Sequence, residues 1–160
     1  MTEKEIAPEL KITPIRNGTV IDHITAGYAL SVLRILGITG REGFVVSIAM
    51  NVPSKKLGKK DIVKVEGREL KAEEVNKIAL IAPRATINII KDYAVVKKIR
   101  VNLPEEIEDI VKCRNPTCIT NSPREPIKPK FKVISREPVK LRCMYCNTTI
   151  EIGDIIKQLT

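Results

Sequence analysis

The sequence predicts an α+β chain in two parts: an antiparallel sheet carrying two helices, then a smaller antiparallel β unit that needs more than apolar packing to hold it. Three observations lead there. Apolar residues make up 43% of the 160 positions and charged residues 29%, with both signs interleaved, a composition that folds rather than stays disordered. Strand-like and helix-like periodicities alternate over residues 10–101 and then give way to short strand-like runs. All four cysteines, Cys113, Cys118, Cys143 and Cys146, fall in the second part.

The elements follow in order. Leu10–Ile15 and Gly18–Ile21 read as strand, with a turn at Asn17-Gly18. Ile24, Tyr28, Leu33 and Leu36 recur at helical spacing, Leu30 and Ile35 widen the stripe, and Gly37 stops it, which predicts an amphipathic helix over 24–37. Phe44–Val52 is nearly all apolar and predicts a strand covered on both faces. Ile62, Lys64 and Glu66 alternate with Val63 and Val65, the pattern of a half-buried strand. Leu70–Ile81 is helical and ends before Pro83, after which Ala85–Ile90 and Tyr93–Val101 return to strand. Strand, helix, strand, strand, helix, strand is the order of a ferredoxin-like α/β sandwich, with both helices on one face of an antiparallel sheet.

Pro104 marks the boundary, since it removes a backbone donor and biases Leu103 toward an extended conformation. Domains are therefore expected over 1–104 and 105–160. The second is proline-rich between Asn121 and Pro129, with strand-like runs at Lys130–Ser135, Val139–Arg142 and Thr148–Ile152. So short a chain with so little apolar content is marginal on a hydrophobic core alone.

The cysteines supply the missing constraint. Cys113-x4-Cys118 and Cys143-x2-Cys146 are two close pairs, each on a turn, the spacing by which two turns give two thiolates each to one tetrahedral Zn²⁺. The single histidine, His23, precedes them all, so the site is closed by four sulfurs with no open position for water or substrate. One structural zinc per chain in a zinc-ribbon-like antiparallel β domain is the reading. Two disulfides, a thioredoxin-like redox pair and an iron site compete with it; disulfides are disfavoured in the cytosol, although proteins of high-temperature organisms are an exception. Twenty-four Ile against one Gln is a bias of the kind seen in such organisms.

Charge narrows the partners. Residues 1–104 carry 18 Lys and Arg against 11 Asp and Glu, while 105–160 carry 10 against 8, so the anion-seeking excess lies in the first part. Aromatic residues are only 3%, too few for a broad base-stacking platform. No run of 18 apolar residues occurs and MTEKEIAPEL lacks the features of a secretory signal, so a cytoplasmic protein without a membrane partner is expected. No phosphate-binding glycine loop is present, which gives no indication of hydrolysis machinery.

GTVIDHI at Gly18–Ile24, LGKKDIVKVE at Leu57–Glu66, APRATINIIKDYAVV at Ala82–Val96 and the four cysteines together resemble the regulatory chain of aspartate carbamoyltransferase, over nearly the whole sequence. The resemblance implies a non-catalytic subunit acting in pyrimidine biosynthesis. It implies an allosteric domain that binds CTP and ATP, and in some members UTP, followed by a zinc domain contacting the catalytic chain. It also implies homodimers of regulatory chains within an assembly of six catalytic and six regulatory chains. Carried onto this sequence, Asp22 and His23 match polar contacts near ribose and phosphate, Lys64 a lysine reaching base and ribose, and Lys98 a phosphate-binding lysine. Ile15 and Tyr93 match positions whose carbonyls face the base, and Ile12, Val20, Asn88, Ile90 and Val95 match the pocket wall. A further lysine of the family near the N-terminus corresponds to either Lys4 or Lys11, and Pro14 stands where relatives usually have Ala. The run Lys55, Lys56, Lys59 and Lys60 reads as a solvated loop outside the site. Loops between Asn115 and Pro129 are expected to dock on the catalytic chain, and the first domain to pair with its own copy through sheet edges.

Two other classes compete. A basic chain with a four-cysteine ribbon fits a nucleic-acid-binding module, but the charge excess sits outside the cysteine unit. A redox enzyme using Cys143 and Cys146 lacks a partner acid or base nearby in sequence. Neither nucleic acid nor membrane is expected as a partner.

Overall fold

A computed structural model describes residues 14–160 of the chain. Ile12, Lys4 and Lys11, with all but the end of the strand expected over Leu10–Ile15, lie outside the described residues.

The first unit runs β1 (Gly18–Thr25), α1 (Ala29–Ile35), β2 (Val46–Ser54), β3 (Gly58–Glu66), α2 (Ala72–Ile81), β4 (Thr86–Lys91) and β5 (Ala94–Arg100). The sheet order is β2-β3-β1-β4-β5 and every neighbouring pair is antiparallel. Strand β1 therefore lies between β3 and β4, the ferredoxin-like arrangement, with β5 added as a hairpin. Ile21, Val63, Val65 and Ile87 form the fully covered face, packed in one core with Val32 and Leu33 of α1 and Ile78 and Ile81 of α2. Asp92 and Tyr93, both with positive φ, make the tight turn between β4 and β5 that suits the right-handed twist of a hairpin.

Helix α1 begins five residues later than its apolar spacing predicts. His23 has φ of 56° and β1 carries a bulge between Ile21 and Ile24, which pair with Val63 and Asp61. The extra residue turns Ile24 back onto the covered face with Ile21, so Ile24 belongs to β1, and its four-residue distance from Tyr28 only imitates a helical repeat. The far end of α1 behaves as read. Gly37, at φ of 67°, lets its N–H reach the Arg34 carbonyl at 2.9 Å while the Ile38 N–H reaches that of Leu33 at 2.9 Å, closing the helix in a Schellman motif.

Strand β2 is not covered on both faces. It is an edge strand, and Ile48 and Met50 remain 39% and 37% exposed because only β3 flanks it and α1 covers one side. Gly18 is required by packing: a Cβ there would collide with the Val65 carbonyl oxygen.

The second unit contains β6 (Glu106–Glu108), β7 (Lys130–Arg136), β8 (Val139–Cys143) and β9 (Thr149–Glu151) in that spatial order, with a 3₁₀ turn at Ile119–Asn121 and a closing helix α3 (Ile152–Leu159). Strand β6 and helix α3 are additional to the strand-like runs that the sequence predicts for this unit. Helix α3 packs on α1 and α2, with Ile155 fully buried, so the cores of the two units are continuous. No helix among the described residues is long and apolar enough to cross a membrane.

Candidate functional site

Two regions concentrate chemistry. The first is the cysteine cluster. Cys113 and Cys118 come from the loop between β6 and β7, Cys143 ends β8, and Cys146 lies in the turn to β9. Their four sulfurs all lie within 4.8 Å of one another. Cys113 Sγ is 3.5 Å from Cys146 Sγ, and Cys118 Sγ is 3.7 Å from Cys143 Sγ. Sulfurs bound at ~2.3 Å around one tetrahedral Zn²⁺ sit ~3.8 Å apart, so these separations fit a shared metal. They exceed by far the ~2.05 Å of a disulfide, and all four cysteines are free.

Local polar contacts prepare the cluster. Asn121 donates its side-chain N–H groups to the carbonyls of Cys113 at 2.8 Å and Asn115 at 2.7 Å, which fixes the first turn. The Cys143 N–H bonds the Thr148 carbonyl at 2.9 Å and fixes the second. Without a cation the thiols differ. Burial pushes Cys113 up to about 12, whereas hydrogen bonding with the Thr148 side chain holds Cys146 down at about 6. Four thiolates in this space need a cation, and the donor set suits a soft or borderline metal such as zinc.

The second region is the sheet face turned away from the helices. Directly opposed residues of antiparallel strands share a face. Ser47 pairs with Lys64, Lys64 with Val20, Val20 with Asn88, and Asn88 with Lys98, so five strands contribute one row across the sheet. Four residues singled out from the sequence, Val20, Lys64, Asn88 and Lys98, are thus neighbours in space. The next row holds Glu66, Gly18, Ile90 and Val95. Ile90 is buried and Val95 is exposed. Beyond it the Tyr93 N–H bonds the Arg16 carbonyl at 3.0 Å, bringing the Asp92-Tyr93 turn beside buried Ile15, while the Tyr93 side chain stands in solvent.

At the opposite end Asp22 pairs with Thr86 and lies at the β1 bulge with His23. His23 Nδ1 is 3.1 Å from Thr86 Oγ1 and 3.8 Å from Asp22 Oδ2. Lys60 Nζ is 2.8 Å from Asp22 Oδ1, so one lysine of the basic run joins the site from which the sequence reading excluded it. The signal in the sequence was its place within the segment Leu57–Glu66 that carries the family resemblance. Burial tends to raise the Asp22 carboxyl, but the Lys60 hydrogen bond, the His23 N–H and the charges of both residues outweigh it and hold the group below 3.8. Burial lowers His23 below 6.5, and the charges of Lys60, Lys56 and Lys98 add to that against the opposing pull of Asp22. A cavity of about 240 Å³ opens beside His23, lined also by Lys56, Arg84, Thr86 and Arg100. The face can therefore take a polyanion along its row of cations while Ile90 and Val95 offer apolar contact to a base.

A family model described as aspartate carbamoyltransferase regulatory chain, allosteric domain, matches residues 10–102, and one described as the metal binding domain of the same chain matches residues 105–156. Curated proteins named aspartate carbamoyltransferase regulatory chain are similar over most of their length. That of Hyperthermus butylicus is 61% identical over 150 residues, covering 94% of each chain. That of Methanothrix thermoacetophila is 66% identical over 139 residues, 87% of this chain and 90% of the relative. That of Thermococcus gammatolerans is 60% identical over 152 residues, 95% and 99% of the two.

Proposed function

The chain belongs to the family of aspartate carbamoyltransferase regulatory chains, and from that premise we propose that its first unit, residues 1–104, senses CTP and ATP, and UTP beside them, and passes the signal to a catalytic chain through a zinc unit, residues 105–160. A regulatory chain implies a catalytic partner, and no catalytic residue is assigned to this one. The observation that carries the nucleotide reading is the row Lys64–Val20–Asn88–Lys98, which sets two lysines from different strands on one face with Asp22, His23 and Lys60 at its end. Lys98 and His23 meet phosphate, Lys64 and Asp22 meet ribose and base edge, and the carbonyls of Ile15 and Tyr93 meet the base amino group. Ile12, Val20, Asn88, Ile90 and Val95 complete the wall. Lysine ammonium groups hold phosphate through charge-assisted hydrogen bonds without a glycine-rich loop.

Cys113, Cys118, Cys143 and Cys146 hold the zinc, which supplies a cross-link between two loops and leaves no site for chemistry on a substrate. Ile119, Met144 and Tyr145 are exposed on the turns that carry these cysteines, at 44%, 45% and 49%, and supply an apolar patch for docking the catalytic chain. Exposed Phe44, Val45 and Ile48 at the β2 edge support pairing of the first unit with its own copy. The assembly is six catalytic and six regulatory chains in the cytoplasm.

Nucleotides act by binding one quaternary state better than another, with coupling of about 1–3 kcal/mol. The test is catalysis by the complex reconstituted with the catalytic chain, at varied aspartate, with each nucleotide added in turn. Lys98→Ala should lose at least ~10-fold in CTP affinity, the scale of one charged hydrogen bond. An unchanged response would refute the site. A regulatory chain that stays with the catalytic trimer after chelation would refute the role of zinc in docking.

A further inference from the structure

The densest basic run of the sequence, Lys55-Lys56-Leu57-Gly58-Lys59-Lys60, forms the turn between β2 and β3. Only part of it is used by the nucleotide face, where Lys60 is held by Asp22. The turn overhangs the junction of the two units. There a cleft of about 700 Å³ opens between it, the start of α1, the turn after α2 and the β7–β8 hairpin. This volume lies in the range of pockets that enclose small organic ligands, roughly 300–1,000 Å³.

The lining has a definite chemistry. Lys56 and Lys59 come from the basic turn, Arg84 from the turn after α2, and Arg136 from the hairpin. Against these four cations stands Glu137 alone among the described lining residues, and it is ion-paired to Arg84 across the junction. Arg136 is not a free arm: its Nη1 donates to the Leu103 carbonyl at 2.6 Å, which aims the guanidinium from a fixed point at the linker. The apolar part of the wall is Tyr28, Leu57 and Ile152. None of Val20, Lys64, Asn88 and Lys98 lines it. The smaller cavity beside His23 shares Lys56, Leu57 and Arg84 with it, so the two openings are contiguous.

We propose that this cleft is a second ligand site, for an organic phosphate with an apolar or aromatic body. Lys56, Lys59, Arg84 and Arg136 are exposed, and four cations against one carboxylate leave an uncompensated positive field focused by the concave wall, which attracts a dianion more than an open surface does. Arginine presents paired N–H donors that match phosphate oxygens, and Arg84 and Arg136 approach from different units. The apolar wall excludes a bare inorganic ion as the best fit, because Tyr28, Leu57 and Ile152 gain only from a ligand that covers them. An incoming phosphate competes with Glu137 for Arg84 and so exchanges a contact between units for a contact with ligand.

The test uses the metal-loaded full chain and calorimetric titration with 1-naphthyl phosphate, with inorganic phosphate and 1-naphthol as separate arms. Saturable binding of 1-naphthyl phosphate at least tenfold tighter than either fragment is expected. Lys59→Glu should weaken it about tenfold, whereas Glu137→Gln, which releases Arg84, should tighten it severalfold. Lys98→Ala should leave it unchanged while weakening CTP, separating this site from the nucleotide face. No saturation, equal binding to wild type and Lys59→Glu, affinity matched by 1-naphthol, or loss of binding in Lys98→Ala would each overturn the proposal.

Discussion

Lys60 places its ammonium 2.8 Å from the carboxylate of Asp22, and the two side chains are only 17% and 24% exposed. The pair is more shielded than an ordinary surface ion pair, and it holds Asp22 in the charged form against the cost of burial. A carboxyl whose folded pKa is depressed adds stability above its unfolded value, here 3.8, and loses that contribution as pH falls through the folded value. Lys60→Ala should therefore cost about 1 kcal/mol at pH 7 in urea denaturation. In carboxyl-detected NMR, Asp22 should titrate below 3.8 in wild type and move upward in the variant. A titration that ignores the substitution contradicts the pairing.

His23 is the one imidazole of the chain, so its ring signals report the site without overlap. Its pKa is lowered from 6.5 by burial and by Lys60, Lys56 and Lys98. In the free chain the unfolded state binds more protons in the interval below 6.5, so this residue's contribution to stability is present above that value and is lost as pH falls through the folded pKa. A triphosphate on the face neutralises the lysines and should raise the His23 pKa. Binding then takes up a proton at His23, which should offset part of the affinity lost as the terminal phosphate protonates between about pH 7.5 and 6. NMR titration with and without CTP, and comparison with His23→Gln, checks this; a His23 pKa unmoved by CTP places the nucleotide elsewhere.

Particular residues explain what could and could not be read in advance. The cysteine cluster was legible because two close pairs on turns need only one strand pairing to converge. The row Lys64–Val20–Asn88–Lys98 came from family resemblance, since residues on four strands become neighbours only through register, which no local pattern encodes. The bulge at His23 hid itself by turning Ile24 of β1 onto the core face four residues before Tyr28, a helix-like spacing. Helix α3 did leave a signal in Ile152, Ile155, Ile156 and Leu159, at helical intervals after Glu151, with Asp154 accepting the Glu151 N–H at 3.1 Å. Thr148–Ile152, read as a strand, took in its first residue. Strand β6, three residues long, exists only because β7 offers it an edge.

The metal cluster predicts an asymmetric loss. Cys118→Ser removes one of four sulfurs from a buried position 3.7 Å from Cys143 and replaces it with a poor ligand for a soft site. Metal affinity and folding of the second unit are one free energy, so the variant should lose amide protection in β6–β9 in hydrogen exchange. The first unit should keep protection in β1, β3 and β4, because its core residues Ile21, Val63 and Ile87 are covered by α1 and α2. Full protection of β8 in Cys118→Ser with no bound metal would show that apolar packing alone suffices there.

Asp61 offers the sharpest test of the scaffold beneath the nucleotide face. It is fully buried, and its carboxylate accepts three backbone N–H groups: Gly27 at 2.9 Å and Ala29 at 3.0 Å on one oxygen, Asn51 at 2.8 Å on the other. One side chain thus fixes the start of α1 and the irregular point of β2, where Asn51 has φ of 58°. Asp61→Asn keeps the volume but replaces one acceptor oxygen with a donor that meets an N–H head-on. At least one buried N–H is left unpaired and the remaining bonds lose their charge, for a cost of about 3 kcal/mol. Urea denaturation of the metal-loaded chain measures the loss, and faster hydrogen exchange at Ala29 or Asn51 shows which side the amide abandons. A cost under about 0.5 kcal/mol would mean that these three contacts are not what orders the β1–α1 connection.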